Sequence, residues 1–241
     1  MADQGSGNPA QPGPIALVGG AEWTPPARGL DAWLLERSGG GQVTVVPTAA
    51  KDHPDMAVAT ARRHFAALGG AVQAAMVVTR SDAEDPAAAG LFTAARFIYL
   101  SGGDPGYLAE TLRGTAAWEA IVGAWRGGAL LAGSSAGAMV LCARMLRPGS
   151  TATEAGLGLF AGLMVLPHFE HWPPRLGKVG RVLAGQEVRV LGIDECTGLV
   201  LDGDTRRVLG AGGVHGFGVE AGGLAPRWAA QAPAELAGGG L

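Results

Sequence analysis

The chain has 241 residues, 48% of them hydrophobic, a formal net charge of −3 and two Cys. Those figures suit an α/β protein with a substantial core and exclude a disulfide framework. The mild acidity carries no signal for nucleic acid or an anionic membrane, and no apolar run is long enough for a membrane-spanning helix.

Residues 1–13 are Gly-, Pro- and Gln-rich and are expected to be disordered, ahead of a single domain over 14–220. The first residues show neither the basic nor the apolar region of a signal peptide, so a cytoplasmic protein is expected. Ile15-Ala16-Leu17-Val18 reads as a buried strand ending in Gly19-Gly20. A helix is expected over 28–38 and a strand over Val43–Val46, stopped by Pro47. A helix over 55–68 follows Pro54 and ends before Gly69-Gly70. Its His64 reads as a surface residue. Met76–Val78 is expected as the third strand, 85–95 as a short helix, and Phe97–Leu100 as the fourth strand, ended by Ser101-Gly102-Gly103. Helices over 106–113 and 115–125 lead to the strand Leu130–Ala132. Alternating short apolar runs and helical stretches predict βα units with a largely parallel sheet.

Later the pattern changes. A Pro- and aromatic-rich loop runs from Leu166 through His168, His171 and Arg175. A short helix over 176–183 and a strand over 188–193 precede Asp194-Glu195-Cys196-Thr197. Short runs at Leu199–Leu201, Val208-Leu209 and Val214 predict an antiparallel extension of the sheet. Residues 221–241 read as a loose Ala/Gly/Pro tail, with 224–228 able to pack on the domain.

The chemistry is concentrated at Gly133-Ser134-Ser135-Ala136-Gly137, a G-x-S-x-G pattern between an apolar strand and a helix. In this nucleophile-elbow pattern small neighbours let the backbone turn sharply and expose the central Ser. The N–H of Ala136, at the start of the following helix, is then free to bind a developing oxyanion. Gly102 and Gly103, after the fourth strand, offer further donors, and Asp104 reads as a turn or helix cap. A Ser nucleophile needs a base and an orienting carboxylate. Of five His, His168 and His171 sit in the loop that looks built rather than solvated. Glu154, Glu170, Asp194 and Glu195 are the open choices for the carboxylate.

Seven segments, in order over residues 14–215, resemble the cyanophycinase and dipeptidase E family of serine peptidases. They are Ala16–Ala21, Val46–Ala49, Tyr99–Asp104, Gly133–Ala138, Gly156–Leu159, His168-Phe169 and Leu191–Thr197. The resemblance implies a fold related to class I glutamine amidotransferases: a three-layer, flavodoxin-like α/β arrangement with a mostly parallel sheet between helices. It implies Ser135 as nucleophile, His168 as base and Glu195 as acid; the N–H groups of Gly103 and Ala136 are the expected oxyanion hole. Gly102, Asp104, Ser134, His171 and Arg175 are then expected around the substrate. No metal or cofactor is implied, and a homodimer is. An α/β-hydrolase would order Ser, acid, His instead. Ser135 stands where Cys-based amidotransferases carry Cys. Two departures stand out: Asp104 is followed by Pro105 where cyanophycinases have Gln, and Leu166-Pro167 precede His168 where they have Asp-Gln. Loss of those polar groups points away from cyanophycin as the substrate. The expected reaction is hydrolysis of a peptide or isopeptide amide. The alternatives are a non-catalytic ligand-binding protein of the same fold, or an amidase or esterase acting on a small metabolite.

Overall fold

The computed structural model describes residues 11–147, 152–172, 188–217 and the strand 224–229. Arg175, the expected helix over 176–183, and the ends 1–10 and 230–241 lie outside the described residues.

Among the described residues the central sheet has seven strands. They are β1 (Ile15–Val18), β2 (Gln42–Val46), β3 (Ala71–Ala74), β4 (Phe97–Leu100), β5 (Leu130–Ser134), β10 (Thr197–Asp202) and β11 (Thr205–Gly210), in the order β11-β10-β1-β5-β4-β2-β3. β1 through β5 run parallel; β10 and β11 add antiparallel at the β1 edge. The fold is therefore the predicted three-layer α/β arrangement with an antiparallel extension.

Side-chain alternation explains the layers. Ile15, Leu17, Ile98, Leu100 and Leu131 enter the core on one face, packed with Leu108, Leu112 and Ile121 from α5 (Pro105–Leu112) and α6 (Ala116–Arg126). Ala16, Val18, Phe97, Tyr99 and Ala132 enter the other, under α1 (Arg28–Arg37) and α2 (Pro54–Ala66). Both faces are covered, so these strands read as continuous apolar runs.

A second sheet, in the order β13-β12-β9-β8, contains β8 (Leu163–Leu166), β9 (Arg189–Ile193), β12 (Gly213–Phe217) and β13 (Leu224–Ala229). Only its β8–β9 pair is parallel. β9, expected as a strand over 188–193, belongs to this smaller sheet, and so does Val214, expected in the extension of the main sheet but lying on β12. β13 pairs with β12, so part of the expected tail is strand.

Other boundaries also differ. β3 lies at 71–74 rather than 76–78, because its register with β2 ends at Val45 and Ala74. The chain then turns, Val77 N–H donating to the Ala75 carbonyl, although Val77 stays buried. The helix expected over 85–95 is shorter, α4 (Pro86–Gly90), capped by Asp85, and a helix that was not expected, α3 (Arg80–Glu84), opened by a Thr79/Asp82 capping box, precedes it. α7 (Ala136–Val140) is short, and the chain leaves it into a hairpin, β6 (Arg144–Leu146) with β7 (Thr153–Ala155), that the apolar pattern concealed. Among the described residues no helix is long and apolar enough to cross a membrane.

His64 is buried, not on the surface, with Nε2 2.8 Å from the buried Asp31 carboxylate. Burial pushes the Asp31 carboxyl up, the hydrogen bond and charge of His64 opposing that rise.

Candidate active site

The loops after β1, β4 and β5 lie at the carboxyl ends of parallel strands, where open α/β sheets place their sites. The turns after β8 and β9 join them. Five non-glycine residues have positive φ among the described residues: Ala21, Trp23, Ser135, His168 and Cys196. All five lie in these loops. Such conformations cost of order 1–3 kcal/mol each and persist only where the surroundings hold them.

Ser135 sits at φ 48°, ψ −109°, between β5 and α7. Its N–H donates to the Val18 carbonyl at 2.9 Å, which ties the elbow to the neighbouring strand. The turn needs small residues. A Cβ at Gly133 would fall 2.4 Å from the Gly137 carbonyl oxygen, and one at Gly137 would fall 2.4 Å from that of Leu100.

Ser135 Oγ is 2.9 Å from His168 Nε2, and His168 Nδ1 is 2.6 Å from Glu195 Oε1. The hydrogen bond from His168 holds the Glu195 carboxyl below the usual range, so it is ionised at neutral pH and can only accept. Nδ1 therefore carries the ring proton. Nε2 is left to accept from the Ser135 hydroxyl.

The sequence left the acid open among four residues, and the fold separates them. Asp194 points away, accepting from Gly213 N–H at 2.8 Å and lying 3.2 Å from His215 Nε2. Glu170 accepts the Glu195 N–H with both oxygens at 2.9 Å and so fixes the turn that presents Glu195. Glu154 is on β7, 4.0 Å from Arg147 Nε, and lines the cavity beside Gly103. His171 lies against the far side of Glu195, 3.6 Å from Oε2, and is largely exposed. Glu170, His171 and Glu195 bring ligand-capable atoms within 4.8 Å of one another, but their carboxylates are already engaged as described.

The remaining expected residues divide sharply. The N–H groups of Gly103 and Ala136 have no hydrogen-bond partner among the described residues. Gly102 N–H, in contrast, donates to Glu22 Oε1 at 2.7 Å. Ser134 is fully buried and its hydroxyl donates to Glu22 Oε2 at 2.6 Å, so it faces that carboxylate instead of a substrate. Asp104 caps α5 through Tyr107 N–H and pairs with Lys51 at 2.6 Å, and these contacts hold its carboxyl below the usual range. Beside Gly103 opens a cavity of about 860 Å³ whose charged lining includes Lys51, Asp104, Arg147 and Glu154.

Sequence reasoning missed Glu22. The only signal was its place just past Gly19-Gly20, in the loop that follows the first strand. Cys142 is buried and its thiol is pushed up to about 12, so it stays protonated at neutral pH.

The β1 loop ties the site together. The Gly19 carbonyl accepts from His168 N–H at 2.8 Å, and the Gly20 carbonyl accepts from Cys196 N–H at 2.9 Å. A Cβ at Gly20 would lie 2.2 Å from His168 Cε1.

Comparison with known proteins gives the family. The sequence profile of peptidase family S51 matches residues 15–209. A cyanophycinase of Synechococcus elongatus is 31% identical over 218 residues, 84% of this chain and 67% of its own length. One from Trichormus variabilis is 30% identical over 215 residues, 83% of this chain and 72% of its own. The crystal structure of a peptidase from an acI-B1 actinobacterium superposes with a TM-score of 0.80 at 31% identity, covering 92% of this chain and 96% of that one. A Listeria monocytogenes structure, of a protein proposed to be a peptidase E, shares the fold with a TM-score of 0.63 at 18% identity, over 83% of this chain and 99% of that one. The chain therefore belongs to peptidase family S51 and is a serine-type peptidase of that family.

Proposed function

We propose that this chain hydrolyses a peptide or isopeptide amide through an acyl-enzyme on Ser135. The observation that carries the reading is the continuous Ser135–His168–Glu195 hydrogen-bond line at a strained elbow. His168 Nε2 takes the Ser135 proton as Oγ attacks the carbonyl. Glu195 holds the tautomer that leaves Nε2 free and stabilises the imidazolium that forms. The carbonyl oxygen, now an anion, is received by the N–H groups of Gly103 and Ala136, which are unpaired among the described residues. His168 then protonates the leaving amine. The acyl-enzyme is hydrolysed by a water that the same base activates.

The substrate chain is read as lying in the cavity beside Gly103, whose lining mixes both signs of charge. Pro105 and Leu166-Pro167 favour a small peptide or amide other than cyanophycin, because those positions lack the polar groups that would pair with a charged β-aspartyl-arginine unit. Fluorophosphonate labelling tests the reading. Wild type should label on one Ser and Ser135→Ala should not label while keeping its denaturation midpoint. Equal labelling of the two would refute the assignment. A hydrolysis screen of dipeptides with acidic, β-linked and apolar first residues, run beside Ser135→Ala, identifies the substrate class.

A further inference from the structure

We propose that Glu22 is a positioning residue that sets the spacing of the two oxyanion-binding N–H groups. This rests on the hydrolase reading above. Those N–H groups come from different loops: Gly103 follows β4, and Ala136 follows β5. Glu22 bridges the two loops with a single carboxylate. Oε1 accepts from the N–H of Gly102, the residue before one donor, at 2.7 Å. Oε2 accepts from the hydroxyl of Ser134, two residues before the other, at 2.6 Å. A carboxylate is planar and rigid, and both bonds are charge-assisted, so the separation of the two loops is fixed more firmly than packing alone would fix it.

Three further observations support the role. Glu22 is flanked by Ala21 at φ 53° and Trp23 at φ 59°, two non-glycine residues in left-handed conformation. The chain accepts strain on both sides of this one side chain. The loop is then clamped: Thr24 Oγ1 donates to the Ala21 carbonyl at 2.7 Å, and the buried Trp23 ring packs 5.3 Å from Tyr99, centroid to centroid. Finally, the space is shared with the nucleophile. A Cβ at Gly102 would lie 2.8 Å from Glu22 Oε1 and 3.3 Å from Ser135 Cβ. Glycine at 102 lets carboxylate, amide and elbow close on one another.

A fluorophosphonate places its phosphoryl oxygen in the oxyanion hole, so its labelling kinetics read the geometry directly. Glu22→Ala should lower the maximal labelling rate by roughly 10–100-fold, with the half-saturating probe concentration within about threefold of wild type. Glu22→Gln keeps one acceptor for Gly102 N–H and a donor that Ser134 Oγ can accept. It should restore the rate to within about fivefold of wild type. A purely structural role would lower the denaturation midpoint without that split or that rescue. Wild-type labelling by Glu22→Ala, or equal loss in Glu22→Gln, would overturn the proposal. Should Glu22→Ala fail to fold, Ser134→Ala removes one end of the bridge alone. It should slow labelling about tenfold, and an unchanged rate would count against the role. Hydrogen exchange at the Gly102 amide separates the two readings: absent wild-type labelling refutes the hydrolase, whereas a Gly102 amide equally protected in wild type and Glu22→Ala refutes the bridge.

Discussion

Gly20→Ala offers a test of the site geometry that removes none of the reacting groups. Gly20 has φ +127°, and an added Cβ would lie 2.2 Å from His168 Cε1, 2.7 Å from Nδ1 and 2.8 Å from Nε2. Ordinary carbon contacts settle at about 3.5 Å, so the ring must retreat by about 1.3 Å. His168 cannot retreat freely. Its N–H is bonded to the Gly19 carbonyl and its Nδ1 to Glu195, and the backbone is already left-handed at φ 53°. A ring displaced that far loses the 2.9 Å contact with Ser135 Oγ. A misplacement of about 1 Å is enough for a loss near 10²-fold. Placing Ala at this φ adds a stability cost of about 1–3 kcal/mol. The assay is the rate of fluorophosphonate labelling, with a urea midpoint taken on the same preparation. The expected outcome is labelling slowed about 100-fold in a protein that remains folded at neutral pH. Labelling at the wild-type rate would show that His168 does not act from this position.

Two further predictions address pairs whose ionisation the fold perturbs. Glu195→Gln should slow labelling by about 10²–10⁴-fold, because the amide can favour the wrong His168 tautomer. Since the Glu195 carboxyl is lowered in the folded state, mainly by the His168 hydrogen bond, its contribution to stability is complete above the ordinary glutamate value of about 4.3 and is lost as pH falls through the lower folded value. The difference in thermal midpoint between wild type and Glu195→Gln should therefore be flat at neutral pH and shrink under acid; a difference that grows on acidification would contradict the assignment. His64→Leu should destabilise the protein by about 3–5 kcal/mol near pH 7, because Asp31 is left buried without its partner. Burial already raises the Asp31 carboxyl, so the deficit should shrink as pH falls and Asp31 takes up a proton; urea midpoints at several pH values check this.

The parallel sheet and the elbow are legible before folding, because both are written in local pattern. Short apolar runs bounded by Gly and Pro mark β1, β2, β4 and β5, and both faces of those strands are buried. The G-x-S-x-G spacing marks the elbow because Gly133 must stay small against Gly137 four residues on, although Gly137 in turn answers to Leu100 on β4. Short elements were less legible. The five-residue α3, opened by the Thr79/Asp82 capping box, is too short to show a helical period, and the β6–β7 hairpin is held by pairing that no periodicity announces.

Local pattern left four carboxylates open and only the family resemblance pointed to Glu195; the fold shows which of them meets His168. Asp194 and Glu195 are adjacent, and alternation sends one to Gly213 and His215 and the other to His168. His64 and Asp31 looked unremarkable because they are a buried pair made of residues from two helices. Ser134, expected beside the substrate, is turned by the strand period into the interior, where it meets Glu22. Glu22 itself bonds to partners 80 and 112 positions away. A strained turn is a local property and shows in the sequence. The distance between two loops is set by what lies between them, and that appears only once the chain is folded.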